Sequence, residues 1–199
     1  MRAKASGVIR LLTLMAIAPL SATAYEEPLT SESIREAYFL GQRRDEATAS
    51  FLAHYHHNYP LPKTGPHISR VQVLTPYAQI VLGAEDGEIR GSAMAAERHY
   101  RTHPSLFLVR VRVYSTPTYP SAPKWAQFWE KLSVLVAQGK PLKPEKKSYL
   151  GLPSGRGPAY TDVELSFDAA QIQSAPMTVE VSSPDGQHVE ANFDLDKLK

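Results

Sequence analysis

Hydrophobic and polar residues alternate along much of the chain after residue 67. A period of two is typical of a β-strand with one buried face and one face in water. The stretches that show it are 71–75, 107–113, 132–136, 163–167, 177–181 and 189–193. The apolar run AQIVLG at 78–83 predicts a further strand. The pattern thus indicates five to seven strands, and the turn-forming sequence at 183–186 predicts a closing hairpin.

The segment before the strands has a helical pattern instead. Ser33 and Glu36 have the spacing of a capping box, which predicts a first helix. After a break at 41–45, an apolar stripe from Ala47 to Tyr55 predicts a second helix, with Tyr55 facing inward at its C-terminal end. A short helix is also predicted at 91–103, where a helix-forming composition stops at a proline.

Three prolines within 60–67 separate the helical region from the strands. We therefore predict an N-terminal helical region at 25–59, a proline-rich connection at 60–67 and a β-domain at 68–199 that includes the short helix. Short strands joined by turns favour an antiparallel sandwich over a parallel sheet. The predicted fold class is mainly β (α+β), an antiparallel immunoglobulin-like β-sandwich with a short N-terminal helical region.

Residues 1–24 have the features of a cleaved secretory signal peptide. Basic residues precede an apolar run at 11–20, and small residues at 22–24 fit cleavage before Tyr25. The run is shorter than the ~20 residues that span a bilayer. Loss of the leader's three basic residues from a total of 22 leaves 19 against 20 acidic residues, which removes the support for nucleic-acid binding. We predict export to the periplasm or beyond, with no membrane span after cleavage.

The chain contains no cysteine. It therefore has no disulfides, although the predicted compartment permits them, and it has no lipid anchor through cysteine. Thiol catalysis and thiolate metal sites are excluded as well.

Two segments carry a family resemblance. SIREAYFLGQRRDE, followed by TGPHISRVQVLTPYAQIVL, resembles the N-terminal part of a group of uncharacterised exported bacterial proteins. The resemblance covers roughly residues 33–83. The group has no known activity or ligand, so the resemblance implies export alone.

Histidines are the first candidates for chemistry, and they are dense in LAHYHHNYP at 52–60. On a helix, His54 and His57 would share a face while His56 points away. Zinc needs three or four converging ligands, so this pair needs a distant partner. His99 and His103 are spaced i, i+4 and are the first partners to consider, although the zinc-protease glutamate after the first histidine is absent. The alternative is that these imidazoles bond the last free carbonyls of helix ends.

An excess of aromatic residues is the second candidate feature. It comprises Tyr114, Tyr119, Trp125, Phe128 and Trp129. If exposed, Tyr119, Trp125, Phe128 and Trp129 would stack on sugar rings or hold a peptide. If buried, the same aromatics would close one end of the sandwich.

The loop at 140–160 imitates two motifs without matching either. GLPSGRG lacks the Gly-Lys-Ser/Thr ending of a phosphate-binding loop, and Ser154 lacks the flanking glycines of a nucleophile elbow. Its lysines predict a solvated hairpin, or one that contacts an anionic surface polymer.

These observations favour a non-catalytic binding or structural module of the cell envelope, with no cofactor and with a protein or glycan as partner. They leave open whether the protein is an enzyme. Two alternatives are a histidine-dependent metallohydrolase with zinc and a carbohydrate-binding module that uses the aromatic patch.

Overall fold

The computed structural model describes residues 25–60, 66–103, 105–115, 128–151 and 159–199. The α-helices are α1 Ser31–Arg43, α2 Glu46–Ala53, α3 Pro76–Asp86 and α4 Ala93–Thr102. The strands are β1 His56–Asn58, β2 His67–Leu74, β3 Leu106–Ser115, β4 Ser133–Gln138, β5 Lys140–Leu142, β6 Lys146–Leu150, β7 Ala159–Asp168, β8 Pro176–Ser182 and β9 His188–Asp194. The predicted leader at 1–24, and residues 61–65 of the predicted proline-rich connection, lie outside the residues that the structure describes.

The strands form two antiparallel sheets. Their orders are β1-β2-β3-β7-β6 and β5-β4-β8-β9. Alternate residues of both sheets are buried in one core, in which Phe107 and Val163 of the first sheet join Val179 and Phe193 of the second. The protein is thus a mixed α and β structure with two antiparallel sheets, an arrangement compatible with the predicted β-sandwich.

Helices α1, α3 and α4 pack against one another in a second buried cluster, and partly buried residues of α2 lie against it. Ile34 and Tyr38 of α1 lie there with Ile80 and Val81 of α3, and Ala96 comes from α4. α3 and α4 are inserted between β2 and β3, whereas α1 and α2 precede the sheets. The helical cluster is therefore assembled from two separate parts of the sequence, one before the sheets and one between β2 and β3.

The prediction of a strand at AQIVLG is wrong, because these residues lie in α3. Thr75 accepts a hydrogen bond from the backbone N–H of Ala78 as the N-cap, and Pro76 occupies the first turn. Gly87, with φ 79°, ends the helix. α3 is buried on the side of the sheet and on the side of α1, so its sequence is apolar without the stripe that identifies a surface helix.

The second helix is also shorter than the prediction. α2 ends at Ala53, His54 is its C-cap, and His56–Asn58 form β1, which pairs with β2. Backbone pairing with a longer strand thus replaces the last helical turn. Tyr55 does face inward, with 1% of its surface exposed, as predicted. The first helix, the short helix at 93–102 and the closing hairpin are confirmed.

Within the described residues, no helix is both long and apolar enough to cross a bilayer.

Buried tyrosines are expected to make the folded protein less stable at alkaline pH. Burial raises the pKa of Tyr25 and Tyr55 above the ordinary value of 10.0, and it raises that of Tyr77 to about 12. Because the unfolded chain ionises these phenols first, their contribution to stability is complete below pH ~10 and is lost as the pH rises through the folded pKa values. We expect the urea concentration at the midpoint of unfolding to decrease when the pH exceeds ~10. We also expect tyrosinate absorbance to appear at a higher pH in the folded protein than in the unfolded chain.

Tyr55→Phe removes one of these phenols and should make that fall shallower. A folded protein whose tyrosines all titrate at the ordinary pKa, with no loss of stability, would contradict the prediction.

Candidate functional site

The histidines of LAHYHHNYP are engaged in backbone contacts. His54 Nδ1 lies 2.8 Å from the carbonyl oxygen of Ser50, one turn back in α2. His57 Nε2 donates to the carbonyl oxygen of Asn192 at 3.0 Å, and its ring meets Phe193 edge-on at 4.9 Å. His54 therefore bonds a helix end, as the alternative to metal binding expects, while His57 fastens β1 to β9.

His99 and His103 are brought together at the end of α4. Their rings are stacked, with centroids 4.3 Å apart, and His103 Nδ1 lies 2.8 Å from the carbonyl oxygen of His99. The pair that sequence spacing predicted is therefore close, but neither His54 nor His57 joins it. In the part of the chain that the structure describes, no group of three or more histidine, aspartate or glutamate side chains is placed to hold a metal.

A cavity of about 80 Å³ lies beside this pair of histidines. Its walls are Pro76, Gln79, Ile80, Ile89, His99, Tyr100, His103, Ser105 and Leu106. Gln79 donates to the carbonyl oxygens of Leu74 and Leu106, and Tyr100 donates to Glu27 at 3.1 Å while accepting from a backbone N–H. These two polar side chains are therefore held by the protein's own hydrogen bonds.

Serine, histidine and aspartate also meet near the turn between β8 and β9. Asp185 lies 3.0 Å from His67 Nδ1 and accepts a hydrogen bond from Ser183, whereas Ser182 Oγ lies 3.0 Å from His188 Nδ1. A catalytic triad needs one imidazole that bonds both the nucleophile and the carboxylate. Here the two contacts involve different histidines, so these side chains stabilise the turn and do not form a triad.

The aromatic patch is only partly described, because Tyr119 and Trp125 lie in 116–127, outside the residues that the structure describes. Phe128 is buried in the core with 2% of its surface exposed. Half-buried Trp129 meets Phe128 edge-on at 5.0 Å and lies 5.6 Å from Tyr149 of β6, which is 40% exposed. Phe128 is thus placed where the buried alternative expects it, whereas Trp129 and Tyr149 form a small aromatic pair at the sheet edge.

A second group of side chains lies on the outward face of the five-stranded sheet. We call it the arginine–tyrosine face, and it consists of Arg70, Arg110, Arg112, Tyr114 and Tyr160. These residues occupy the alternate positions whose neighbours point into the core. Backbone register places Arg70 opposite Arg112 on adjacent strands, and Tyr114 opposite Tyr160.

Two carboxylates on β7 fix part of this face. Arg112 donates from Nε and Nη2 to the two oxygens of Asp162, at 2.7 and 2.8 Å. Arg110 Nε donates to Glu164 at 2.6 Å. Two-pronged contact holds a guanidinium in one plane, so Arg112 is a rigid element of the face.

The two tyrosine rings contact each other at a tilt of 51° beside this ion pair. The rings of Tyr114 and Tyr160 have centroids 5.2 Å apart, and the guanidinium of Arg112 lies 5.3 Å from the ring centre of Tyr160. Tyr160 is nonetheless 47% exposed. The face therefore presents an immobilised aromatic ring to the surroundings.

Arg70 differs from the other two arginines in its partners. Its Nε donates to the neutral side-chain oxygen of Asn58 at 2.8 Å, and it forms no ion pair with a carboxylate among the described residues. Burial, and then the neighbouring Arg112, lower the pKa of Arg70. The pKa of His56 is lowered by burial and then by Arg70. Positive charge is thus incompletely balanced on this part of the face.

Sequence reasoning missed this face as a site. Alternation in SLFLVRVRVYS predicts one wet side for β3, and both arginines of β3 lie on it. The pairing that adds Arg70, Tyr160 and the carboxylates joins residues far apart in sequence, which a pattern within one strand does not reveal.

Comparison of the chain with protein-family models, with curated proteins and with solved structures finds no match.

Proposed function

We propose that this chain is an exported, non-catalytic binding module of the cell envelope that holds its partner on the arginine–tyrosine face. The observation that carries the proposal is the exposed ring of Tyr160, which contacts Tyr114 and Arg112 and shares its face with Arg70, an arginine without a carboxylate partner among the described residues. The leader-like sequence at 1–24 supports export, and the mass of the exported chain tests cleavage before Tyr25.

Rigidity of the face favours binding as its role. Aromatic and arginine side chains contribute most when little mobility is lost on contact, and here an ion pair and contacts between rings already restrict them. The groups lie on an open sheet surface, which suits an extended polymer or a protein more than a small substrate that must be enclosed.

We also propose that the two sheets form an immunoglobulin-like sandwich. The orders β2-β3-β7-β6 and β5-β4-β8-β9 support this, because they correspond to the A-B-E-D strands and to the C-F-G strands with one added neighbour of C. β1 then extends the first sheet beside β2. Contacts between the backbones of β3 and β7, and of β4 and β8, measured by nuclear Overhauser effects, test the arrangement.

Tyr160→Ala tests the binding role. We expect the purified mature chain to co-sediment with isolated cell-envelope material, and the variant to bind about tenfold more weakly, since truncation of an aromatic anchor costs about 1–2 kcal/mol. The dissociation constant from a sedimentation titration is the measurement.

Phe39→Ala is the matched control, because Phe39 is an exposed aromatic residue of α1, 56% accessible and away from the proposed face. Equal binding by wild type and Tyr160→Ala, or no sedimentation of either, would contradict the proposed function.

The pair formed by Trp129 and Tyr149 supports a second candidate, a carbohydrate-binding module at the edge of the first sheet. Its Tyr149 is exposed beside a tryptophan, and Lys147 Nζ lies 5.6 Å from the ring centre. Loss of glycan binding in Tyr149→Ala, with Tyr160→Ala unaffected, would favour this edge over the face.

A further inference from the structure

We propose that the partner of the arginine–tyrosine face is an acidic polysaccharide, with a carboxylate of the polymer on Arg70 and a sugar ring on Tyr160. The inference rests on the binding function proposed above and adds the chemical class of the ligand. It follows from three features of the face: an unbalanced arginine, a fixed aromatic ring and the distance between them.

The charge on the face is unequal. Three guanidinium groups, those of Arg70, Arg110 and Arg112, meet two carboxylates, and each carboxylate pairs with an arginine of β3. Arg70 lies directly opposite Arg112, and like charges in that position destabilise paired strands. Asp162 offsets part of this repulsion through Arg112, while Asn58 gives Arg70 no negative charge. An anion bound at Arg70 would complete the balance.

The shape of the free donors suits a carboxylate. Arg70 uses Nε for Asn58, and its two terminal nitrogens make no hydrogen bond to a described residue. A guanidinium with two free nitrogens matches the two oxygens of a carboxylate. Arg70 is also half-buried, so its attraction for an anion is less weakened by water than that of a fully exposed lysine.

The electrostatic surroundings agree with this assignment. Among the residues that the structure describes, the charged and titratable groups that interact with Arg70 are Arg112, Asp162, Tyr160 and His56. Of these, Asp162 carries the negative charge, and it is already held by both nitrogens of Arg112. The positive charge at Arg70 is therefore available to a ligand.

The ring of Tyr160 offers a surface for the sugar part of the ligand. Tyr160 lies two residues along β7 from Asp162, and β3 separates β7 from β2, so Tyr160 is displaced from Arg70 by about 7 Å along the strands and about 10 Å across them. A flat, fixed ring supplies apolar area against which a sugar ring packs. A small anion would use Arg70 alone and a neutral glycan would use Tyr160 alone. An acidic polysaccharide that crosses β3 obliquely, from β2 to β7, uses both.

Titration calorimetry with polygalacturonate, and with neutral dextran as its uncharged counterpart, tests the inference. We expect polygalacturonate to bind the mature wild-type chain, with an affinity that falls as salt rises, and dextran to bind at least tenfold more weakly. Arg70→Gln should weaken polygalacturonate binding at least tenfold, whereas Arg35→Gln, at an exposed arginine of α1, should leave it unchanged.

Asn58→Asp is the sharper variant because it leaves the arginine in place. The aspartate would present a carboxylate to Arg70 where the amide oxygen now lies, 2.8 Å from Nε. We expect at least a fivefold loss of polygalacturonate affinity together with a fold at least as stable as the wild type. This variant keeps the inference testable even if Arg70→Gln unfolds.

The outcomes separate the ligand class from the binding function. Equal affinity for dextran and polygalacturonate, or wild-type affinity in both Arg70→Gln and Asn58→Asp, overturns the acidic polysaccharide while envelope binding through Tyr160 stands. Loss of polygalacturonate binding in Tyr149→Ala, with Arg70→Gln unaffected, overturns it in favour of the sheet edge. Binding of polygalacturonate without any binding to envelope material supports the ligand class and contradicts the proposed function.

Discussion

Gly41→Ala is expected to destabilise the protein by about 3 kcal/mol, although the same change in an unobstructed helix stabilises it by about 1 kcal/mol. A methyl group at Gly41 would lie 2.1 Å from the carbonyl oxygen of Val81 and 2.9 Å from Cβ of Ala84. The carbonyl belongs to the backbone of α3 and has no rotamer through which to move aside. The two helices would have to separate, and the buried contacts between α1 and α3 would loosen with them.

The free energy of unfolding in urea is the measurement for this prediction. Phe39→Ala, in the same helix and largely exposed, is the control and should change stability by less than about 1 kcal/mol. A Gly41→Ala variant as stable as the wild type would mean that α1 and α3 do not approach as closely as the structure indicates.

Local signals in the sequence account for much of the fold. β3 and β9 are buried on one side and solvated on the other, so their alternation is visible in the residues themselves. The hairpin between β8 and β9 is equally readable, because Gly186 adopts a φ of 89° that few other residues tolerate. The helix predicted from Ser33 and Glu36 is present, but it begins earlier: Thr30 is the N-cap and accepts a hydrogen bond from the backbone N–H of Ser33.

The sequence-based predictions of secondary structure fail where an element is buried on two sides or is almost fully exposed. α3 is enclosed by the sheet and by α1, so its apolar run gives no helical period. β6 is at the sheet edge and carries exposed lysines, so it lacks the alternation that predicts a strand. In both cases the secondary structure is decided by neighbours that are distant in sequence, and local propensity does not contain that information.

The candidate site was likewise predictable from the sequence only in part. His99 and His103 lie close together, as the i, i+4 spacing suggests, although His103 is the C-cap of α4 and has an extended backbone. The arginine–tyrosine face needs the register of three strands, in which Arg112 pairs with Arg70 on one side and with Asp162 on the other. Composition showed arginines on a wet strand, but not which charges they meet.

LAHYHHNYP acquires a structural role from the same strand pairing. His57 and Tyr59 bond the carbonyl oxygens of Asn192 and Glu190 on β9, the edge strand of the second sheet. Unpaired edge strands are prone to pair with other chains, and side chains that occupy their carbonyls reduce that tendency. The aromatic and imidazole groups that suggested a metal site thus join the edges of the two sheets.

Thr75→Val is expected to cost about 2–3 kcal/mol, because one fully buried hydroxyl has two structural roles. Thr75 Oγ1 accepts the N-cap hydrogen bond of α3 from Ala78 at 3.1 Å and donates to the main-chain oxygen of Lys199. Tyr55 donates to the same oxygen at 2.8 Å. The threonine therefore links the end of β2, the start of α3 and the last turn of the described chain.

Valine keeps the shape of the side chain and removes only its hydrogen bonds, so it isolates their contribution. Thr75→Ser is the matched control, since it keeps the hydroxyl and loses one methyl group at a cost of about 1 kcal/mol. Unfolding free energies of the two variants, measured in urea, should place valine well below serine. If both variants lose the same amount, the methyl group and not the hydroxyl stabilises this junction, and the link between helix and sheet must then lie in apolar packing.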